Sequence, residues 1–352
     1  MNKHPLVSII IVNFNGYSLL KNCLSSILEN SYSFFEIIIA DNGSTDQSVT
    51  KLKHDFKKYL NKILIVDLKK NLGPALARNK AFEISKGEII VFLDNDTKVN
   101  KDWVVNALPI FNNPKIGAVQ SKLLLLDQKN KIDYVGELMG NLGFLKSIAN
   151  YGETDIGQYN QIDLILAAKS AGMIIRRQAF IDAGMFDPDY FIFMEETDLG
   201  WRTWLTGYQN TFCPSSIVYH KFSSTKNIVN KDFNNYLIRF HGTKNYIQTL
   251  IKNLSFWYLL KILPIHIFLW FALATFLLIT GKFKSAINIY HGIFWNFTHI
   301  KHILQKRKIT QKNRKVSDSY IFKTKKLMVK TSFFSYIKKF FESQQSISTP
   351  EN

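Results

Sequence analysis

The chain has 352 residues, 46% of them hydrophobic and 28 of them phenylalanine, and 45 Lys and Arg set against 27 Asp and Glu give a net charge of +18. That length holds one domain of about 200 to 250 residues with a proper core and something smaller beside it, and the apolar content excludes a disordered polyelectrolyte. Cys23 and Cys213, far apart, offer neither a disulfide framework nor zinc spacing, so a reducing cytoplasm is the expected setting.

The first apolar run, "LVSIIIV", is short and leads straight into "NFNG", which is not the pattern of a secretory signal. It reads as a buried strand closing in a turn, and "LLKNCLSSILEN" follows with apolar residues at helical spacing. "FEIIIADNGSTD" is a second buried strand with a polar, Gly-containing loop, and "QSVTKLKHDFKKYL" a second helix. "NKILIVDL" predicts a third strand, "GPALARNKAFEIS" a helix with Pro in its first turn, and "GEIIVFLDNDT" a fourth strand. Short apolar strands alternating with amphipathic helices predict an α/β fold, a mostly parallel sheet with helices on both faces. In such sheets the ligand crevice lies at the carboxyl ends of the strands, so Asn13, Asp41, Asp67 and Asp94 are expected on one rim. "IGAVQSKLLLLD" predicts another strand, and the Gly-rich and aromatic stretch 134–159 yields no assignment. Residues 170–209 hold a strand, a helix start, a loop and a second helix with acids near its beginning, and "TFCPSSIVYHKFSS" is strand-like up to His220.

Beyond about Lys226 the alternation gives way to long helical and apolar segments, which sets a domain boundary at 225/226. Residues 262–280, "ILPIHIFLWFALATFLLIT", carry no formal charge if His266 is neutral and approach the ~20 residues that cross a bilayer as a helix. Pro264 and His266 near its start also permit an in-plane or re-entrant segment, and a buried core helix meets the same length criterion. The basic runs "KHILQKRKITQKNRK" and "FKTKKLMVK" come after it, which favours a cytoplasmic membrane surface over nucleic acid as the partner.

In "VFLDNDT" at 91–97, Asp94 and Asp96 are two apart and leave an extended chain on one side, where like charges repel unless a cation lies between them. Two carboxylates form a hard oxygen site suited to Mg²⁺ or Mn²⁺, although an isolated pair of this kind is also what a solvated turn looks like. "NLGPALARNKA" brings Asn71, Arg78 and Asn79 toward the same crevice, where the Arg78 guanidinium suits a diphosphate, and Asp41 suits a nucleobase or ribose. In "FMEETDLGWR", Glu195, Glu196 and Asp198 lie beside the Phe-rich "FDPDYFIF", a setting that raises the proton affinity of a carboxylate toward that of a general base. Acids at a helix N-terminus are also explained by the helix dipole alone.

Taken in order, "VSIIIVNFNG", "IIIADNGSTDQS", "NLGPALARN", "VFLDNDT", "SAGMIIRR", "FMEETDLGWR" and "IVYHKF" resemble an inverting family 2 glycosyltransferase of the GT-A fold over residues 6–222. The resemblance implies that Asp94 and Asp96 hold a divalent cation on the donor diphosphate, with His220 as a later metal ligand. It implies that Asn13, Phe14, Asp41, Asn71, Arg78, Asp94 and Asn95 cradle the nucleotide-sugar, and that Glu196 is the catalytic base with Glu195 and Asp198 beside it. Glu196 departs from the family pattern, in which that acid is commonly Asp, and this leaves the choice between Glu195 and Glu196 open. Trp201 and Arg202 are the implied acceptor contacts. The tail is similar to that of rhamnosyltransferase-like enzymes of bacterial surface polysaccharide, implying a lipid-linked or oligosaccharide acceptor and a peripheral or single-pass attachment to the cytoplasmic face of the membrane.

Three other readings fit less of the chain. A nucleotidyltransferase needs a Gly-rich basic loop after the first strand, which "NFNGYSLLKNC" lacks. A membrane-tethered binding protein without catalysis has no use for Asp94, Asp96, Glu196 and His220 together. A nucleic-acid module rests on charge alone.

Overall fold

The computed structural model describes residues 4–221 and 236–330. The 225/226 boundary, the onset at Lys226 and the Phe222 end of the last motif lie outside the described residues. The chain divides into two compact units, one of residues 1–137, 147–230 and 313–316, the other of 138–146, 231–312 and 317–352. Residues 138–146, inside the stretch that resisted assignment, thus belong with the C-terminal helices.

In the first unit the elements follow the predicted alternation: β1 (Val7–Asn13), α1 (Tyr17–Leu28), β2 (Phe35–Asp41), α2 (Ser48–Asp55), β3 (Ile63–Asp67), α3 (Pro74–Ile84) and β4 (Ile89–Asp94). There follow β5 (Thr97–Val99), α4 (Trp103–Ala107), β6 (Ile116–Leu125), β7 (Ile132–Tyr134), then β8 (Glu137–Gly140) and β9 (Leu145–Ser147), which fall mostly in the second unit, and, back in the first, β10 (Leu164–Ile165), β11 (Met173–Arg176), α5 (Arg177–Asp182), α6 (Glu195–Leu205) and β12 (Gln209–His220). The main sheet runs β10-β12-β6-β11-β4-β1-β2-β3, with β5 paired to β12 and β7 to β6. Its β3, β2, β1 and β4 are mutually parallel, and β11 enters antiparallel between β4 and β6.

Alternation along each strand feeds a core on either face. Ile9, Ile11, Ile37, Ile39, Val91 and Leu93 pack with α1 residues such as Leu20 and Leu24, while Ile10, Ile38, Ile90 and Phe92 pack with Ala77 of α3 and Phe180 of α5. These strands read as unbroken apolar runs because both of their faces are covered.

The second unit contains α7 (Gly242–Asn253), α8 (Phe256–Ile279), α9 (Phe283–Thr298), α10 (Ile300–Lys312) and β13 (Met328–Val329), which pairs with β8. The apolar segment predicted at 262–280 is the greater part of α8, a helix of 24 residues with a mean hydropathy of 2.4 over its most apolar window. His266 within it is fully buried, its Nδ1 donating to the Leu142 carbonyl at 3.0 Å and its Nε2 accepting from Trp270 Nε1 at 2.9 Å.

Candidate functional site

Register brings the polar strand ends to one level. Asn13 stands opposite Asp41, Asp41 opposite Asp67, and Val12 opposite Asp94. Asn13 and Asp41 are buried there. The Asn13 amide donates to Asp41 Oδ2 at 3.1 Å and to Ser44 Oγ at 3.2 Å, and Asn95 Nδ2 donates to Asn13 Oδ1 at 3.0 Å. Ser44 N–H donates to Asp41 Oδ1 at 2.9 Å, so both oxygens of that carboxylate are oriented from within the rim. Phe14 follows, half-buried, and Asp67 is exposed and pairs with its neighbour Lys69.

Two loops meet beside Asp41. Gly43 has a φ of +84°, and a Cβ there would come within 2.7 Å of the Lys70 backbone, so only glycine allows the approach. Asn71 Oδ1 accepts from Asn42 Nδ2 at 2.9 Å and from Gly73 N–H at 3.0 Å, which ties the second loop to the first and starts α3 at Pro74.

α3 then presents Arg78. Its side chain is 5% exposed, donating to Asp94 Oδ1 at 2.9 Å and to Glu195 Oε1 at 3.4 Å, with the guanidinium 5.5 Å from the centre of the Phe186 ring. Asn79, the next residue, does not reach the crevice as the sequence suggests. It is buried and braces the chain at Phe186, donating to its carbonyl at 2.7 Å and accepting from its N–H at 3.2 Å.

Asp94 ends β4 and Asp96 lies in the turn before β5. Because β12 runs antiparallel to β5 with His220 opposite Thr97, the histidine arrives beside that turn from far along the chain. His220 Nε2 is 3.3 Å from Asp96 Oδ1, and ligand atoms of Asp94, Asp96 and His220 all lie within 4.8 Å of one another. Two carboxylates and one imidazole are a hard to borderline donor set, and they fit Mn²⁺ or Mg²⁺. His220 Nδ1 is 2.7 Å from Asp133 Oδ2. Burial opposes charge on this histidine, but hydrogen bonds with Asp133 and Asp96 outweigh it and push its pKa up to about 10. Asp133 thereby fixes which nitrogen faces the aspartates, the part a carboxylate commonly plays behind a metal-binding histidine. Arg78 against Asp94 and His220 against Asp96 offset the repulsion between the two carboxylates, and an ion held there would take the place of the proton on His220 Nε2.

The second acidic group is aimed by strain. Phe193 and Met194 both have left-handed backbone, with φ of 67° and 68°, and turn the chain sharply into the first turn of α6. Glu195 points inward and is buried, its Oε2 without a hydrogen-bond partner among the described residues. Burial first, then the neighbouring Glu196 charge, pushes its pKa up to about 8, with Arg78 opposing. Glu196 is half-buried, and its Oε1 accepts from both the N–H of Ser170, at 2.7 Å, and the Ser170 hydroxyl. That hydroxyl is also 3.5 Å from Asp94 Oδ1.

The rest of α6 corrects three expectations. Asp198 is fully buried and is bonded to Arg202, 2.9 Å from its Nε and 2.7 Å from its Nη2, and Arg202 also donates to the carbonyls of Ala183 and Met185. Trp201 is fully buried. These three side chains anchor α6 from within instead of offering a base or an acceptor surface. Residues missed from the sequence are Ser170, Ser44 and Asp133. Ser170 stands at the head of "SAGMIIRR" with no local mark of its contact with Glu196, and Asp133 belongs to a three-residue strand whose pairing only the sheet reveals.

A sheet of this order, with its carboxylates and histidine gathered where β4, β5 and β12 meet, is the GT-A fold. The chain is similar to Staphylococcus aureus TarS 1-349 in complex with UDP-GlcNAc, at a TM-score of 0.55 and 16% identity over 90% of this chain and 91% of that one. It is also similar to the mannosyltransferase PcManGT of Pyrobaculum calidifontis in complex with GDP-Man and Mn²⁺, at a TM-score of 0.53 and 15% identity over 88% of each chain. Residues 8–182 match the family model Glycosyl transferase family 2, and that stretch of the chain belongs to the family. Among curated relatives, it is 38% identical over 101 residues to the putative teichuronic acid biosynthesis glycosyltransferase TuaG of Bacillus subtilis, covering 29% of this chain and 40% of that protein. It is 27% identical over 220 residues to the poly-beta-1,6-N-acetyl-D-glucosamine synthase of Staphylococcus epidermidis, covering 60% of this chain and 49% of that protein. The chain therefore spans about half or less of the length of these relatives.

Proposed function

We propose that the protein is an inverting glycosyltransferase that moves a hexosyl or deoxyhexosyl unit from a nucleoside diphosphate to a hydroxyl of a lipid-linked or oligosaccharide acceptor in cell-surface polysaccharide synthesis. The observation that carries this reading is the continuous chain Glu196–Ser170–Asp94–Arg78, which joins a candidate base to a candidate diphosphate site. The names of the relatives support the polysaccharide setting, and the nucleotide-sugars and Mn²⁺ of the two similar structures support the donor class. Residues 1–225 are read as the catalytic part and 226–352 as the membrane-associated part, on the cytoplasmic face.

In this reading Asp41, Asn13, Phe14, Asn71 and Asn95 hold the nucleoside and Arg78 faces the diphosphate. A divalent ion held by Asp94, Asp96 and His220 would supply positive charge where the leaving diphosphate gathers negative charge. Ser170 occupies Oε1 of Glu196 twice and so leaves Oε2 to take the acceptor's proton. The acceptor oxygen bonds to the anomeric carbon as the bond from that carbon to the diphosphate oxygen breaks. The nucleoside diphosphate departs with the electron pair, and a single displacement from the opposite face inverts the centre. Glu195, buried and holding its proton near neutral pH, is the poorer base of the two.

The test is thermal stabilisation of the full chain by UDP, dTDP, GDP and CMP, each with Mn²⁺, Mg²⁺ or EDTA. One nucleotide is expected to raise the melting temperature in a manner abolished by EDTA and by Asp96→Asn. A shift indifferent to both would overturn the metal assignment, and no shift with any nucleotide would overturn the donor site.

A further inference from the structure

Within the second unit, α8 and α9 each have two apolar faces but only one is covered by protein. α8 buries Ile262, Leu269, Leu273 and Leu277, whereas on its other side Trp257, Leu260 and Phe268 are 71%, 52% and 59% exposed. α9 buries Ala286, Ile289 and Ile293, whereas Phe283, Ile287, Phe294 and Phe297 share one helical face and are about half exposed. An apolar surface of this extent marks an interaction site. The charge around it is of one sign. From Asp232 to Asp318 the sequence has no intervening acid, while Lys261, Lys282, Lys284, Lys301, Lys308 and Lys312 fall inside that interval.

We propose that this face docks on an anionic lipid bilayer, with α8 and α9 lying in the plane of its surface and not crossing it. Complementary charge selects the bilayer as the occupant, since lysines flanking an apolar face meet anionic headgroups while the aromatics enter the acyl boundary. The covered side decides the orientation. α7 packs on both helices and buries Thr243, Asn245, Gln248 and Lys252, and the Lys244 ammonium lies 4.6 Å over the Trp295 ring of α9. An upright α8 would carry these groups to hydrocarbon depth, where charges and amides are costly. α9, with 16 residues, is about 24 Å long and falls short of the ~30 Å hydrocarbon core. Lying flat satisfies both helices at once.

This inference takes its purpose from the membrane-bound acceptor proposed above, but its test reads binding alone, so the two fail separately. The purified full chain is mixed with vesicles of phosphatidylcholine, with and without about 30% phosphatidylglycerol, and floated. Binding to the anionic vesicles is expected. Phe268→Ser with Phe294→Ser should weaken it about tenfold or more while the melting temperature is kept. A cysteine placed at Lys282, with both native cysteines buried, should be labelled on bound vesicles by an impermeant maleimide added outside. Protection of that cysteine until the vesicles are lysed would overturn the in-plane orientation. Failure to bind either vesicle, or equal binding by the double variant, would overturn the docking face and leave it to another protein or a second copy.

Discussion

Glu195 and Glu196 are adjacent, identical in chemistry and divided by environment. Glu195 is enclosed and favours its proton, whereas the half-buried Glu196 keeps one oxygen tied to Ser170. Glu196→Gln is expected to lower turnover by about 10²- to 10⁴-fold while nucleotide-induced stabilisation persists, read by steady-state kinetics beside melting curves. Ser170→Ala, which keeps the backbone donor, should lower kcat about tenfold and leave KM for the donor unchanged. Glu195 makes a different prediction. Its folded pKa of about 8 lies above the ordinary value of 4.5, so between those values the unfolded chain sheds a proton that the folded chain retains. Stability is then lost as pH rises from about 4.5 to 8 and levels off above that. Glu195→Gln should flatten this decline, and melting temperatures from pH 5 to 9 would show it. A parallel decline in both proteins would assign the pH dependence elsewhere.

At the scale of elements, α6 illustrates what sequence reading could reach. Its acids are conspicuous in "FMEETDLGWR", but the pattern does not say which face each takes. The left-handed turn at Phe193 and Met194 leads into the helix, which leaves Glu196 half-buried and Asp198 and Trp201 fully inside. Asp198→Ala should therefore cost about 3 to 5 kcal/mol of stability, because it leaves the Arg202 charge buried and unpaired. Denaturant unfolding would measure this, and a loss of turnover without a loss of stability would restore a catalytic role for Asp198. The strands β1, β2 and β4 were legible because burial on both faces writes an unbroken apolar run, and the edge strand β3 because its run of ILIV is apolar although Leu64 is exposed. So were Asp41, Asp94 and Asp96, since strand ends in a parallel sheet share a rim. His220 beside Asp96 was legible only through resemblance, because its place depends on the pairing of β12 with β5. Asp133 had no signal, being set by a three-residue strand on the far side of β6.

At the scale of the whole molecule, the basic charge that composition reported as a single number is concentrated in an acid-free interval of the second unit. That concentration makes the charge a statement about a surface, and the prediction that belongs to it is the vesicle experiment. The segment at 134–159 was illegible because it is shared, its residues 138–146 going with the C-terminal helices and the remainder with the sheet. Sequence windows cannot report a partner strand such as β13, which lies far downstream of β8.

The pairing that closes the candidate metal site also dates it. Asp94 and Asp96 leave the ribosome well before His220, and the backbone hydrogen bond from Lys221 N–H to the Asp96 carbonyl, at 2.9 Å, comes later still. A chain ended by premature termination before His220 would carry the aspartates without their third ligand or the strand that holds β5. The candidate ion site is thus assembled late in the synthesis of this unit, so a copy cut short before His220 would present the two aspartates alone.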